Sequence, residues 1–338
     1  MDLNVEFLKK FTFEGTFAHS LTTDQFLNVP LIPFLSGGYS NQWQNAGEIE
    51  SKTFEFTLGA NWVKKKDFSW SSNIVFSTVR QKITDLPIAD YWLTPVSGDV
   101  TAFRIADGET YGAIYGRRFV RTLDEMAKQL PAGKTIADYT VNSEGYVIPV
   151  GTEGKTTELP ILYTENGSAW LGKIGDGNAN FNMGIVNTVN YKNFTFYLLL
   201  DWKNGGEVYN SNNQRLAFNN VAKVQDMTGV PDGQKKVASY WAAGMYDGNN
   251  ANAYWVEDAS YLKLREVAVG YSLPAQSLKK FLKGTIKGIT LKVVGRNLYT
   301  FTDYSGYDPE VGTVRQPLDG IGANPIYRSV AFSLGINL

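Results

Sequence analysis

The chain has 338 residues, with 32 Lys and Arg against 33 Asp and Glu for a net charge of −1, one histidine and no cysteine. That balance, without a basic block or an interleaved basic–aromatic run, argues against a nucleic-acid partner. No window approaches the ~18 consecutive apolar residues of a membrane-spanning helix, while 19 Tyr, 19 Phe and 8 Trp favour strands.

The opening MDLNVEFLKK lacks a basic stretch followed by an apolar one, so it does not read as a signal peptide. It reads as a strand at Asp2–Phe7 and a tight Lys9–Lys10 connection. In the next strand Phe11, Phe13 and Phe17 share one face opposite Thr12, Glu14 and Thr16. From Leu27 to Gly47, Pro30, Pro33, Gly37 and Gly38 punctuate a long loop. Strand signal returns with Phe54, Phe56, Leu58 and Trp62 against Thr53, Glu55, Thr57 and Asn61. A polar turn at Lys64–Asp67 leads into Phe68, Trp70, Ile74 and Phe76, opposite Ser69, Ser71, Asn73 and Ser77.

Between Gln81 and Gly172 the alternation fades, and Leu123–Leu130 is a helix candidate stopped by Pro131 and Gly133. In an antiparallel meander the strands before and after this region run in opposite senses, so an even number of full strands, or none, lies between them. Two is the expectation. Further on, Phe181, Met183, Ile185 and Val189 oppose Asn182, Gly184, Thr188 and Asn190. Beyond a Tyr191–Asn193 turn, Phe194, Phe196, Leu198, Leu200 and Trp202 oppose Thr195 and Asp201.

In Tyr261–Tyr271 the apolar parity moves from Leu262 and Leu264 to Val267 and Val269. A β-bulge near Arg265–Glu266 does this, and so does a strand whose upper part rises above an apolar layer. Pro274–Gly288 reads as a solvated turn bearing Lys279, Lys280, Lys283 and Lys287. Ile289, Leu291 and Val293 then oppose Thr290, Lys292 and Arg296. The last twelve residues set Val330, Phe332, Leu334, Ile336 and Leu338 against Ser329, Ala331, Ser333, Gly335 and Asn337. An oily face opposite a polar one fits a half-buried soluble sheet, and equally a barrel wall with lipid outside and water inside. Loop lengths separate the two. Short connections (Lys9–Lys10, Lys64–Asp67, Tyr191–Asn193) alternate with long ones (Leu27–Gly47, Asn204–Glu257, Asp303–Asn324), as in outer-membrane barrels.

Candidates for chemistry are few. His19 stands without companions for acid–base or metal work. Asp308 and Glu310 sit two apart beside Pro309, which by itself suggests a glycosidase pair. Asp247, Asn249 and Asn252 in DGNNAN lack the rest of a calcium loop. GGEVYN and GDGNAN lack the Lys-Ser/Thr of a phosphate loop. No metal or cofactor is expected. Binding is better served, because Tyr209, Arg215, Trp241, Tyr246, Tyr254 and Trp255 gather in one long loop with amide neighbours. Aromatic faces beside amides suit stacking on sugars or clamping a peptide backbone; the same rings also suit packing the loop upon itself.

One block ties these observations together. Asp258 to Arg265 (DASYLKLR), Gly270 to Pro274 (GYSLP, including Tyr271) and Arg296 to Glu310 (RNLYTFTDYSGYDPE, including Asn297, Tyr307, Asp308 and Pro309) follow in order. This block closely resembles the C-terminal signature of SusC/RagA-type TonB-linked outer-membrane transporters. NAGEIESKTFEFTL and YGAIYGRRF resemble further segments of that family. The resemblance carried by residues 296–310 implies loop ordering for Asp308 and Glu310 instead of a glycosidase pair, so no catalytic residue is expected. The resemblance implies an all-β, antiparallel transmembrane barrel of 22 strands with long extracellular loops, of which residues 1–338 are the C-terminal portion. By the same resemblance the plug domain, the early strands, the TonB-contacting segment and the export signal are expected to lie outside this chain. It implies uptake of oligosaccharides or peptides through the outer membrane of a Gram-negative bacterium. A SusD-like surface lipoprotein and the TonB system are the implied partners. Phe196, Leu198, Leu200, Phe332, Leu334 and Ile336 are then expected to face lipid, and Thr195, Lys292, Arg296, Ser333 and Asn337 the lumen. Such a portion alone is expected not to transport. The alternative from strand pattern and aromatic loops alone is a soluble all-β carbohydrate-binding module or hydrolase.

Overall fold

The computed structural model describes residues 1–8, 10–93, 99–248, 250–274 and 286–337. Nine long strands form one sheet: β1 (Asp2–Phe7), β2 (Phe11–Thr22), β3 (Glu48–Lys64), β4 (Phe68–Asp85), β5 (Ala179–Tyr191), β6 (Phe194–Gly205), β7 (Tyr261–Ser272), β8 (Gly288–Phe301) and β9 (Ser329–Asn337). Each pairs antiparallel with the next, so sheet order is chain order and β1 and β9 are its edges.

Register turns the alternation within each strand into continuous faces. Val5, Phe13, Leu58, Ile74, Ile185, Leu200 and Leu264 stand opposite one another from β1 to β7. Val189, Phe196, Val269, Val293 and Phe332 make a second apolar row to β9. The intervening row of Asn190, Thr195, Gly270, Lys292 and Ser333 lies on the other face. No layer covers the apolar face among the described residues: Phe332 is 81% exposed and Leu334 61%. Where polar residues fall on that face they bond to each other. Ser72 Oγ donates to Asn187 Oδ1 (2.6 Å), and the indole N–H groups of Trp62 and Trp70 donate to Ser72 Oγ (2.9 Å) and Asn187 Oδ1 (3.1 Å).

The parity change in β7 is a bulge. Against β8, Leu264 pairs with Tyr299 and Glu266 with Arg296, so Arg265 stands opposite two residues, Asn297 and Leu298. Leu200 and Leu199 face Leu264 and Glu266 across the same break on the β6 side. Opposite it, Asn297 adopts a φ of 51°, which asparagine tolerates better than most side chains.

The described residues of 86–178 add no strand to the sheet, because β4 pairs directly with β5, Ser77 opposite Asn182. The expectation of two further strands is corrected to none. The apolar residues of this region, such as Phe103, Ile105, Ile114 and Phe119, are buried in a compact core instead of lining one face of a strand. Its predicted helix is present as α1 (Leu123–Ala127), capped by the Thr122 side chain accepting from the Glu125 N–H. Within the Leu27–Gly47 loop, Phe26–Pro30 and Asn41–Asn45 pair as a hairpin, with Phe26 stacked on Trp43 at 4.8 Å. Lys9, Asn249, residues 275–285 with Lys279, Lys280 and Lys283, and the terminal Leu338 lie outside the described residues.

Candidate functional site

The connections β2–β3, β4–β5, β6–β7 and β8–β9 are all long and leave the same end of the meander; β1–β2, β3–β4 and β5–β6 are tight turns at the other end. The long connections knit together. Glu207–Asn210 pairs antiparallel with Val256–Asp258 and parallel with Leu318–Asp319. Isolated bridges join Thr101 to Asn250 and Arg117 to Asn252. Their shared core contains Phe103, Ile114, Phe119, Tyr240, Met245 and Leu318.

Three of the six aromatic and basic candidates belong to that core. Tyr209, Trp241 and Trp255 are 0%, 1% and 3% exposed, which corrects their reading as ligand-facing rings. Their polar atoms are used inside the unit: the Tyr209 hydroxyl donates to Gln214 Oε1 (2.8 Å), Trp241 Nε1 to the Tyr254 hydroxyl (2.8 Å) and Trp255 Nε1 to the Met245 carbonyl (2.9 Å). Tyr254 is half-buried against Trp255, and Tyr246 stacks on Phe218 at 4.4 Å. Arg215 lies half-buried on α2 (Ser211–Phe218). In the DGNNAN segment, Asp247 pairs with Arg117 at 3.1 Å and Asn252 is fully buried, donating to the Met245 carbonyl. The His19 ring bonds Glu50 at 2.9 Å at the long-loop end of β2.

Part of the signature, Asp308 and Glu310 with Lys263 and Arg265, converges on the polar face at the same end. Lys263 is buried and its Nζ pairs with Asp308 (2.6 Å) and Glu310 (2.5 Å). Arg265, two residues beyond Lys263 and on the same face, pairs with Asp201 and Glu310, and the Tyr261 hydroxyl donates to Glu310 Oε1 at 2.9 Å. Asp308 accepts from the Glu310 N–H (2.9 Å), so the Asp308-Pro309-Glu310 turn is preset to aim both carboxylates at the strand. Burial pushes the Glu310 carboxyl up, but bonds from Arg265 and Lys263 outweigh it and hold the group below its usual range. Asp258 accepts from both the N–H and hydroxyl of Ser260, the turn that starts β7. Asn297 Nδ2 donates to the Tyr327 carbonyl and Arg296 pairs with Glu266. Tyr271 packs on Phe194 at 4.7 Å, whereas Tyr307 is 59% exposed. Gly270 and Pro274 occupy the tight-turn half of β7 and the residues just after it.

The glycines of YGAIYGRRF mark close backbone approaches. A Cβ on Gly112, at φ +98°, falls 2.3 Å from the Val314 carbonyl oxygen; one on Gly116 falls 2.5 Å from that of Ala251. Sequence reading singled out this segment without the reason, since both partners lie in other loops.

Between the polar face and the 303–324 connection lies a groove of about 630 Å³. Gln81, Asn182, Lys203 and Tyr261 form its floor, Asn178 one wall, and Glu310 through Val314 with Pro317 its roof. Amide, hydroxyl, ammonium and carboxylate groups thus share one opening, a set suited to hydrogen-bonding hydroxyl-rich or amide-rich solutes. Sequence reading missed Gln81, Asn178, Asn182 and Lys203, although their strand parity placed all but Asn178 on the polar side.

Comparison with known proteins places this architecture. No family model matches the chain. It is 29% identical over 299 residues to TonB-dependent receptor P3 of Formosa agariphila, covering 86% of this chain and 28% of the receptor. It is 24% identical over 326 residues to TonB-dependent receptor SusC of Bacteroides thetaiotaomicron, covering 94% of this chain and 29% of that one. The chain thus spans under a third of the length of these relatives. In fold it is similar to a chain of the RagAB peptide importer in the 'closed-closed' state, with a TM-score of 0.68, 18% identity, and 96% of this chain and 33% of that chain covered. The resemblance to SusC/RagA-type TonB-linked proteins is borne out, as is the antiparallel all-β fold class.

Proposed function

We propose that residues 1–338 form the C-terminal barrel segment of a TonB-dependent outer-membrane importer of the SusC/RagA type. The importer takes up oligosaccharides or peptides with a SusD-like surface lipoprotein, driven by the TonB system. The observation that carries this reading is the two-faced sheet. Nine consecutive strands present an apolar face that no layer covers among the described residues and a polar face bearing Asp201, Lys263, Lys292 and Arg296. Monomeric soluble proteins rarely leave apolar patches larger than about 300–600 Å² exposed; lipid covers such a face in an outer-membrane barrel. A soluble binding module or hydrolase needs a second packed layer there, and none is present among the described residues.

On this reading the apolar face meets lipid, the polar face lines the lumen, the tight turns point to the periplasm and the long connections to the exterior. The groove under the 303–324 connection opens on the lumenal side and is the chain's best surface for passing cargo. Tyr246, Tyr254 and Arg215 remain candidates for contact with cargo or lipoprotein. The test is fractionation of the native bacterium, affinity capture through the long connections, and deletion of the gene. The reading expects outer-membrane recovery, co-capture of a lipoprotein, and loss of uptake of one oligosaccharide or peptide class. Recovery of the protein in a soluble fraction sinks it.

A further inference from the structure

The tight-turn end of the sheet carries a charge pattern to which the proposed function above gives no role. Among the described residues 8, 10, 64–67 and 192–193 the charged side chains are Lys10, Lys64, Lys65, Lys66, Lys192 and a single carboxylate, Asp67. These turns are neighbours: the Asn61 N–H donates to the Lys10 carbonyl, and the Lys192 N–H to that of Asp67, both at 2.8 Å. None of the five lysines forms an ion pair among the described residues, and Lys64, Lys65, Lys66 and Lys192 are exposed. Immediately inside them an aromatic band crosses the apolar face. Phe7 stacks on Phe11 (5.1 Å), Phe11 meets Trp62 (5.8 Å) and Trp62 meets Trp70 (5.7 Å). Tyr191, with Lys192 Nζ 5.3 Å from its ring centre, and Phe194 continue it on β5 and β6.

Resting on the barrel reading above, we propose that this rim is a binding site for the headgroups of anionic phospholipids in the leaflet at the tight-turn end. The aromatic band fixes where hydrocarbon ends, because such rings settle at the boundary between acyl chains and water. Lysine stems extend from that boundary and carry their ammonium groups to phosphate level. Four or five uncompensated ammonium groups at that depth select a net-negative headgroup over a zwitterionic one. An acidic protein segment satisfies the charge but does not account for the aromatic band lying directly inside the lysine-bearing turns.

The experiment uses the detergent-extracted outer-membrane protein that contains this chain, titrated with phosphatidylglycerol or phosphatidylcholine and read by native mass spectrometry. Phosphatidylglycerol is expected to bind roughly fivefold or more tightly than phosphatidylcholine, as surface lysines favour anionic lipid. The preference should weaken as salt rises and fall below about twofold in a Lys64→Gln, Lys65→Gln, Lys66→Gln, Lys192→Gln variant. Equal binding of the two lipids by the unaltered protein, or a preference insensitive to salt, overturns the proposal without relying on the variant. Abolition of the preference by millimolar inorganic phosphate makes the site one for free anions and also overturns it, as does displacement of lipid by an acidic peptide. A protein recovered soluble without detergent overturns the barrel reading itself.

Discussion

Replacing Lys263 by methionine tests how the 303–324 connection is held to the sheet. The Lys263 side chain is 2% exposed, and its partners Asp308 and Glu310 are 9% and 25% exposed. The methionine fills similar volume but leaves two largely desolvated carboxylates. Glu310 keeps Arg265 and the Tyr261 hydroxyl, whereas Asp308 keeps, among the described residues, the Glu310 N–H alone. Breaking a buried pair on one side costs about 3–5 kcal/mol. Because Glu310 retains partners, the lower end of that range applies. At 1.4 kcal/mol per decade, release of the turn then becomes about a hundredfold easier. Hydrogen exchange of the backbone amides of Glu310 and Val311 reads this directly, since their N–H groups close the turn on Asp308. The control is Lys235→Met, whose partner Asp232 is 95% exposed and whose pair contributes about 0–1 kcal/mol. Protection factors changed by less than threefold in Lys263→Met refute the latch.

Three further outcomes follow. Acidification should loosen the same turn: the Glu310 carboxyl is held below its ordinary value in the folded protein, so its stabilisation is complete above about pH 4.5 and fades as pH falls through the lower folded value, visible as smaller protection factors, each referred to the intrinsic exchange rate at that pH, and absent in Glu310→Gln. Phe332→Arg should impair assembly far more than Ser333→Arg, since a cation on the lipid face costs roughly 2–4 kcal/mol at the midplane; equal yields of heat-modifiable protein refute the assigned faces. Gly112→Ala should destabilise the loop unit more than Gly133→Ala in thermal denaturation. Both glycines have positive φ, costing about 1–2 kcal/mol for alanine, but only Gly112 has a carbonyl oxygen within contact of the added carbon.

Much of the sheet was legible because its strands answer to a period of two: side chains alternate between an apolar and a polar face, and Phe196, Leu198 and Leu200 announce their face by type alone. The Arg265 bulge was legible for the same reason, as a slip in that period. The loop unit was not. Its short strands, such as Leu318–Asp319 beside Glu207–Asn210, pair across about a hundred residues, and local pattern carries no trace of such partners. Tyr209, Trp241 and Trp255 show the second limit. An aromatic ring beside an amide has the same sequence signature whether it closes a core, as Tyr209 does on Gln214, or waits for a ligand. The count of strands between β4 and β5 failed because apolar content in residues 86–178 signals burial without saying against what.

The central claim is that one face of this sheet meets lipid and the other water. The chain has no cysteine, so single cysteines introduced along Ser329–Asn337 provide unique nitroxide positions within it. In the membrane-embedded protein, oxygen accessibility should peak at Val330, Phe332, Leu334 and Ile336. Accessibility to a water-soluble nickel chelate should peak at Ser329, Ala331, Ser333, Gly335 and Asn337. Alternation of period two with opposite phases for the two reagents is the predicted result. Uniform protection from both, as in a strand packed inside a soluble core, contradicts the account.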